Sequence, residues 1–485
     1  MKVTDLKPEI VWKHFHEVTQ VPRPSKKEGK IIAYLESFAK QHNLAYKKDE
    51  AGNILISKPA TPGMESRQTV VLQSHMDMVC EKNNATQHDF DNDPIETIVE
   101  GDWLRANGTT LGADNGIGIA AELAVLASDD IEHGPIECLF TVDEETGLTG
   151  AKALQEGFMT GSILLNLDSE DEGQIFIGCA GGKDTQATFH YTPEPAPADL
   201  QYFRIDVKGL NGGHSGGEIH KGLGNANKIL IRFLYILKKE HPFVLASIDG
   251  GNLRNAIARE AHAVIGIRPD DREPVRILLN HFAADIENEL KHVDKSVCLS
   301  MESTDRPDTV IDGTTAERLI YALHACPHGV LGMSHDIEGL VETSTNLASV
   351  KMKPGNTILV GTSQRSSIES CKDAAANQVA STFLLAGAEV AHGDGYPGWA
   401  PNPDSAILRV AEETYKQLFA KEPEIKAIHA GLECGLFLEK YPHLDMISFG
   451  PTLRDVHSPN ERIEIQTVDR WWAHLLELLK HIPEK

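Results

Sequence analysis

Two hydrophobic patterns alternate along the first third of the chain. Short, nearly unbroken apolar runs occur at NILIS (53–57), TVVLQSHMDMV (69–79), IECLFTV (136–142) and SILLNLD (162–168). Between them lie stretches with apolar residues every three or four positions. Residues 8–19 and 27–42 read as amphipathic helices, the second placing Ile31, Leu35 and Phe38 on one face. Ile117–Ser128 (IGIAAELAVLAS) is apolar enough to be a buried helix. Strands without polar alternation have both faces covered, so the pattern predicts an α/β domain: a sheet sandwiched by helices.

The pattern changes after about residue 183. QYFRIDVKGL alternates like a half-exposed strand, NANKILIRFLYILKK reads as a helix, and AHAVIGIR as a strand. Val275, Leu279, Phe282, Ile286 and Leu290 mark one face of another helix. VETSTNLASVKM and GNTILVGTSQRS form a hairpin with its turn at Lys353–Asn356. This is the signature of an α+β domain. The sheet pattern returns after about residue 390. The expected organisation is therefore a discontinuous first domain, 1–183 and 390–485, with an α+β domain, 184–389, inserted into it. The length of 485 residues agrees with two domains.

Charge and composition remove several function classes. The net charge of −25 is wrong for a nucleic-acid partner or an anionic membrane, both of which need clustered Lys and Arg. The N-terminal MKVTDLKPEIVWKHF has no apolar signal core, and no run of about 18 apolar residues occurs. Seven cysteines without a CxxC pair do not make a disulfide framework. The expectation is a cytoplasmic protein with no nucleic-acid or membrane partner. Cys80, near HMD, and Cys434, in GLECG, raise the idea of a thiol enzyme, but no histidine is paired with them by spacing, and inert buried thiols are expected.

What remains is a set of histidines and carboxylates at predicted strand ends and loops. His75 and Asp77 stand two apart at the end of a strand and point to the same side. A metal-binding imidazole commonly needs a carboxylate on its other nitrogen, which this spacing could supply; a surface pair at a strand end would look the same. In GTTLGADNGIGIA, Asp114 lies in a glycine-flanked loop opening a helix, where it could simply cap. The glycines match neither the phosphate-loop nor the dinucleotide fingerprint. FTVDEETG puts Asp143, Glu144 and Glu145 after a buried strand, NLDSEDEG puts Asp168 after another, and VHSPNE places His457 in a loop. Each alone is explicable as a solvated loop. Together they gather at one end of an α/β sheet, where ligands bind, and mixed His/Asp/Glu donors suit zinc, with cobalt or manganese as substitutes.

The set HMD, GADNG, DEETG, NLDSE, GGHSGG and a His before PNE resembles the co-catalytic metallopeptidases, dinuclear zinc exopeptidases and amidohydrolases. The resemblance runs nearly end to end. VVLQSHMDMV, GGHSGGEIHKGLGNANK and IHAGLECGLF look like the aminoacyl-histidine dipeptidase branch. The resemblance implies hydrolysis of dipeptides of broad range, Xaa-His included. An N-acyl amino acid amidohydrolase or a tripeptidase of the same family is the alternative. It further implies that His75 and Asp168 bind one Zn2+, that Glu145 and His457 bind a second, and that Asp114 bridges them. Asp77 would orient His75, and Glu144 would be the general base, leaving Asp143 a solvated or capping position. The inserted domain would be a lid and dimerisation domain whose His214 serves the neighbouring subunit's site in a homodimer. Asn255, Arg365 and Glu433 would be substrate-binding residues, Arg365 holding the C-terminal carboxylate of a dipeptide and Glu433 meeting its free amine. The family pattern has Gly-Pro before the last His, where this chain has Asp455-Val456, and Pro after RNAI, where it has Ala258; neither removes a proposed ligand.

Overall fold

The computed structural model describes residues 2–485. The chain falls into two compact units: one of residues up to Cys179, Trp399–Ala427 and Leu432–Lys485, the other of Ala180–Gly398 and Ile428–Gly431.

The first unit is built on an eight-stranded sheet in the order Ala45–Lys48, Ile54–Lys58, Ile136–Thr141, Val70–His75, Ile163–Asn166, Asp445–Ser448, Gln174–Cys179, Glu424–Ile428. Its central strands run parallel, and its first two join antiparallel, so the sheet is mixed. The three central apolar runs are buried at every position, as expected for strands covered on both faces. In the parallel register His75 lies beside Thr141, and Gln73 beside Asn166. The carboxyl ends of the three strands are thus aligned, and HMD, DEE and LDS leave the sheet from one edge. The buried helix spans Ala113–Ala127, but Asp114 and Asn115 have non-helical angles, so its regular part starts close to the expected Ile117.

The second unit carries a nine-stranded sheet whose paired strands are antiparallel, with the hairpin Val341–Lys353 and Thr357–Ser366 at its centre. Four helices, Ala226–Glu240, Arg272–Leu290, Gly313–Ala325 and Glu369–Leu385, bury their apolar faces in one core with the inward residues of these strands. Val275, Leu279, Phe282 and Ile286 all lie in that core, while Leu290 packs at its margin. The strand pattern near residue 390 is Glu389–His392, which pairs with Gly181–His190 in this second sheet.

Candidate metal centre and active site

At the carboxyl edge of the first sheet, His75, Asp114 and Glu145 bring donor atoms within 4.8 Å of one another. His75 Nε2 lies 2.9 Å from Asp114 Oδ1 and 3.4 Å from Asp168 Oδ1. His457 Nε2 lies 3.2 Å from the other oxygen of Asp114 and 3.0 Å from Glu145 Oε2. Asp114 therefore stands between two imidazoles, one per oxygen. His75 Nδ1 faces Asp77 Oδ1 at 3.4 Å.

The backbone delivering these groups is unusual where they sit. Asp114 has non-helical angles within the first turn of its helix, and the Asp114–Asn115 peptide bond is cis. Asp143, Asp455 and His457 have positive φ, costly for non-glycine residues unless neighbours hold them. Asp143 is held: its N–H donates to Glu28 at 3.0 Å, and its own carboxylate accepts the hydroxyls of Thr146 and Thr149. Asp77 then accepts the N–H groups of Glu144, at 3.0 Å, and Glu145, at 3.3 Å. Glu28 and Asp77 thus anchor the turn presenting Glu144 and Glu145. Asp143, expected to be solvated or capping, is only 4% exposed and braces that turn from within.

The electrostatics are those of acids crowded out of water. Burial alone would push the Asp114 carboxyl up, but hydrogen bonds with His457 and His75 outweigh it and hold it well below the usual range. Burial, reinforced by the Asp114 charge and opposed by His75, pushes Asp168 up to about 7. Burial also drives Glu144 well up, against His75 and with the charges of Asp168, Glu433 and Glu145 behind it. Glu433 is 2% exposed and opens the helix Glu433–Lys440. Its Oε2 accepts from Gln73 at 2.7 Å and Thr141 at 2.9 Å, while its Oε1 has no partner. Burial pushes the Cys434 thiol well up, and that of Cys80 up to about 11, so neither is a thiolate nucleophile at neutral pH.

The donor set fits divalent metal. It concentrates three carboxylates around two imidazoles, and Glu145 Oε1 is buried without a hydrogen-bond partner. Nitrogen and carboxylate oxygen donors without thiolate suit zinc, cobalt or manganese.

The second unit gathers His214, Asn255 and Arg365. Ser215 N–H donates to the Asn255 carbonyl at 2.9 Å, joining the His214 and Asn255 loops, while Asn255 itself is exposed. His214 Nδ1 accepts from the N–H groups of Gly216 and Gly217, at 3.3 and 3.1 Å. A neutral imidazole accepting at Nδ1 carries its proton on Nε2, and burial together with the Arg365 charge lowers the His214 pKa and favours that neutral form. A side chain on Gly216 would meet both His214 and Arg365. Arg365 is 7% exposed and donates from Nη1 to Tyr396 Oη at 2.7 Å.

Sequence reasoning assigned no role to Arg23, Glu28, Tyr396 or Glu461. The partners that tie them to the site lie between 31 and 350 residues away, and only Glu461, the last residue of the quoted PNE stretch, fell inside a motif.

The cytosol non-specific dipeptidase of Escherichia coli is 45% identical over 484 residues, covering 100% of both chains. The crystal structure of aminoacylhistidine dipeptidase from Vibrio alginolyticus superposes with a TM-score of 0.94 at 43% identity, covering 100% of this chain and 99% of that one. A tripeptidase from Staphylococcus aureus shares the fold at a TM-score of 0.57 and 18% identity, covering 98% and 99% of the two chains. The family model described as Peptidase family M20/M25/M40 matches residues 71–481. With that span and these identities, the chain belongs to peptidase family M20/M25/M40.

Proposed function

We propose that this chain is a cytoplasmic metallo-dipeptidase of broad specificity whose substrates include Xaa-His dipeptides. The observation that carries the reading is full-length identity of 45% and 43% to two dipeptidases, one named for the cytosol and one for aminoacylhistidine substrates. The site geometry agrees: the family's chemistry needs a cage of nitrogen and carboxylate donors, and this chain gathers one at the sheet edge.

In this reading His75 and Asp168 would hold one ion, Glu145 and His457 the other, and Asp114 would be shared between them. Zinc is the proposed metal. When bound, the pair of ions supplies an acidified water and a Lewis acid for the scissile carbonyl. Asp77 fixes the His75 ring. Glu144 is the base: its carboxylate takes a proton from the attacking water and returns it to the nitrogen of the leaving residue. Burial among other acids raises the affinity of Glu144 for protons, which supports its role in carrying the proton to the leaving nitrogen. His214, protonated at Nε2, is a donor for the developing oxyanion, serving a neighbouring subunit in a homodimer with the inserted domain as lid. Arg365, steadied by Tyr396, pairs with the substrate carboxylate, and Asn255 assists it. Glu433 offers its unpartnered Oε1 to the free amine.

Chelation tests the reading. The chelated chain should lose hydrolysis of an Xaa-His dipeptide and regain it as Zn2+ is restored. Undiminished hydrolysis by a chain shown metal-free by mass spectrometry would overturn it.

A further inference from the structure

Arg23 and Glu461 are each 2% exposed, carry opposite charges, and belong to neither the donor set nor the proposed base. Both bond the backbone of the loop that carries Asp114. Glu461 Oε2 accepts the N–H groups of Leu111, at 2.7 Å, and Gly112, at 2.9 Å. Its Oε1 accepts those of Ala113, at 2.7 Å, and Asp114, at 3.3 Å. Four consecutive backbone donors thus converge on one carboxylate.

Arg23 grips the same loop from its carbonyl side. Its Nη2 donates to Gly112 O, and its Nη1 donates to Asp77 O at 2.7 Å and Met76 O at 3.3 Å. Gly112 has φ +68°, and a Cβ there would come within 2.7 Å of Arg23 Nη2 and 2.8 Å of Met78 Sδ. The positive φ and this close approach to the guanidinium both favour glycine at this position.

Each charge joins two donor-bearing segments. Glu461 follows His457 by four residues, so it ties the His457 loop to the Asp114 loop. Arg23 ties the Asp114 loop to the strand end bearing His75 and Asp77. A buried charge costs several kcal/mol unless its hydrogen-bonding sites are filled, and these are filled by the backbone of the loops that present the donors. We propose that Arg23 and Glu461 are positioning residues for the metal centre, a carboxylate–peptide–guanidinium clamp that sets where Asp114 and His457 stand. This rests on the metal reading above.

The test compares Zn2+ binding isotherms of the native chain, Glu461→Gln and Arg23→Lys by calorimetry, with folding checked by circular dichroism. Hydrolysis of an Xaa-His dipeptide is followed in parallel against free Zn2+. The weaker-bound ion should lose about 10- to 100-fold in affinity in each folded variant. The activity curve should move to higher Zn2+ by the same factor, with KM at saturating metal changed by less than about twofold. Folded variants whose isotherms superimpose on the native one overturn the inference. So does failure of both variants to fold, which would make the pair a folding determinant. A native chain that binds no zinc overturns the metal reading itself, whereas native binding with unshifted variants overturns only the clamp.

Discussion

Asp77 accepts the backbone N–H of Glu144 at 3.0 Å. The same carboxylate accepts from the Ser25 hydroxyl at 2.7 Å and faces His75 Nδ1 at 3.4 Å. One buried acid therefore links the imidazole proposed to hold metal with the turn proposed to hold the base. Asp77→Asn keeps the shape and one acceptor oxygen but removes the charge. It should lower zinc affinity or kcat/KM by about 10- to 100-fold. Metal analysis together with steady-state kinetics reads this directly, and native values in both would reduce Asp77 to a fold contact.

Glu144 and Glu145 are adjacent yet assigned different work. Glu144→Ala should lose at least about a hundredfold in kcat while the chain retains its metal. Glu145→Ala should instead lose metal, because Glu145 Oε2 lies 3.0 Å from His457 Nε2 within the donor set. Metal content of the two purified variants separates the roles. A Glu144→Ala chain that holds metal and hydrolyses dipeptides at the native rate would show that another group is the base.

Glu433 should distinguish free from blocked amines. Glu433→Gln preserves an oxygen for Gln73 and Thr141 but withdraws the charge. KM for a dipeptide with a free amine should rise by about tenfold or more, the scale of a lost charge-assisted hydrogen bond. The rate on an N-acetylated analogue should change much less. Equal effects on both substrates would mean that Glu433 only supports the sheet beneath the site.

Stability should fall with acid partly because of His474. This ring is 3% exposed, with Nε2 2.9 Å from Ala411 O, and burial pushes its pKa down to about 4 despite that carbonyl. The unfolded value is about 6.5, so between these pH values the unfolded chain binds more protons than the folded one. The contribution is fully present above about pH 6.5 and is lost as the pH falls toward 4, amounting to about 2 kcal/mol by pH 5. Urea midpoints measured at pH 7 and pH 5 should therefore separate less in His474→Gln than in the native chain. An equal separation would assign the acid sensitivity elsewhere.

Much of this architecture was legible because burial on both faces leaves a plain trace. VVLQSH, IECLFT and ILLN are fully buried strands, and the motifs at their ends converge because parallel register aligns those ends. The helix expected from Ile117 is regular from about that point, and the non-helical turn at Asp114 and Asn115 before it is held by Glu461, far along the chain, which takes up the N–H groups of residues 111–114. No local pattern can announce such a cap. The NILIS strand was expected from Asn53, but it spans Ile54–Lys58, and the Asn53 side chain instead bonds Asp49 and the Gly150 carbonyl. Asp143 was hidden although its partners are near in sequence: the Thr146 and Thr149 hydroxyls that fill its oxygens close around it only in the folded turn.

The central claim, dipeptide hydrolysis, is tested most directly by one substrate panel on zinc-reconstituted chain: an Xaa-His dipeptide, a tripeptide and an N-acetyl amino acid. The dipeptide should have the highest kcat/KM. Cleavage of the N-acetyl amino acid alone, with the dipeptide untouched, would contradict the account.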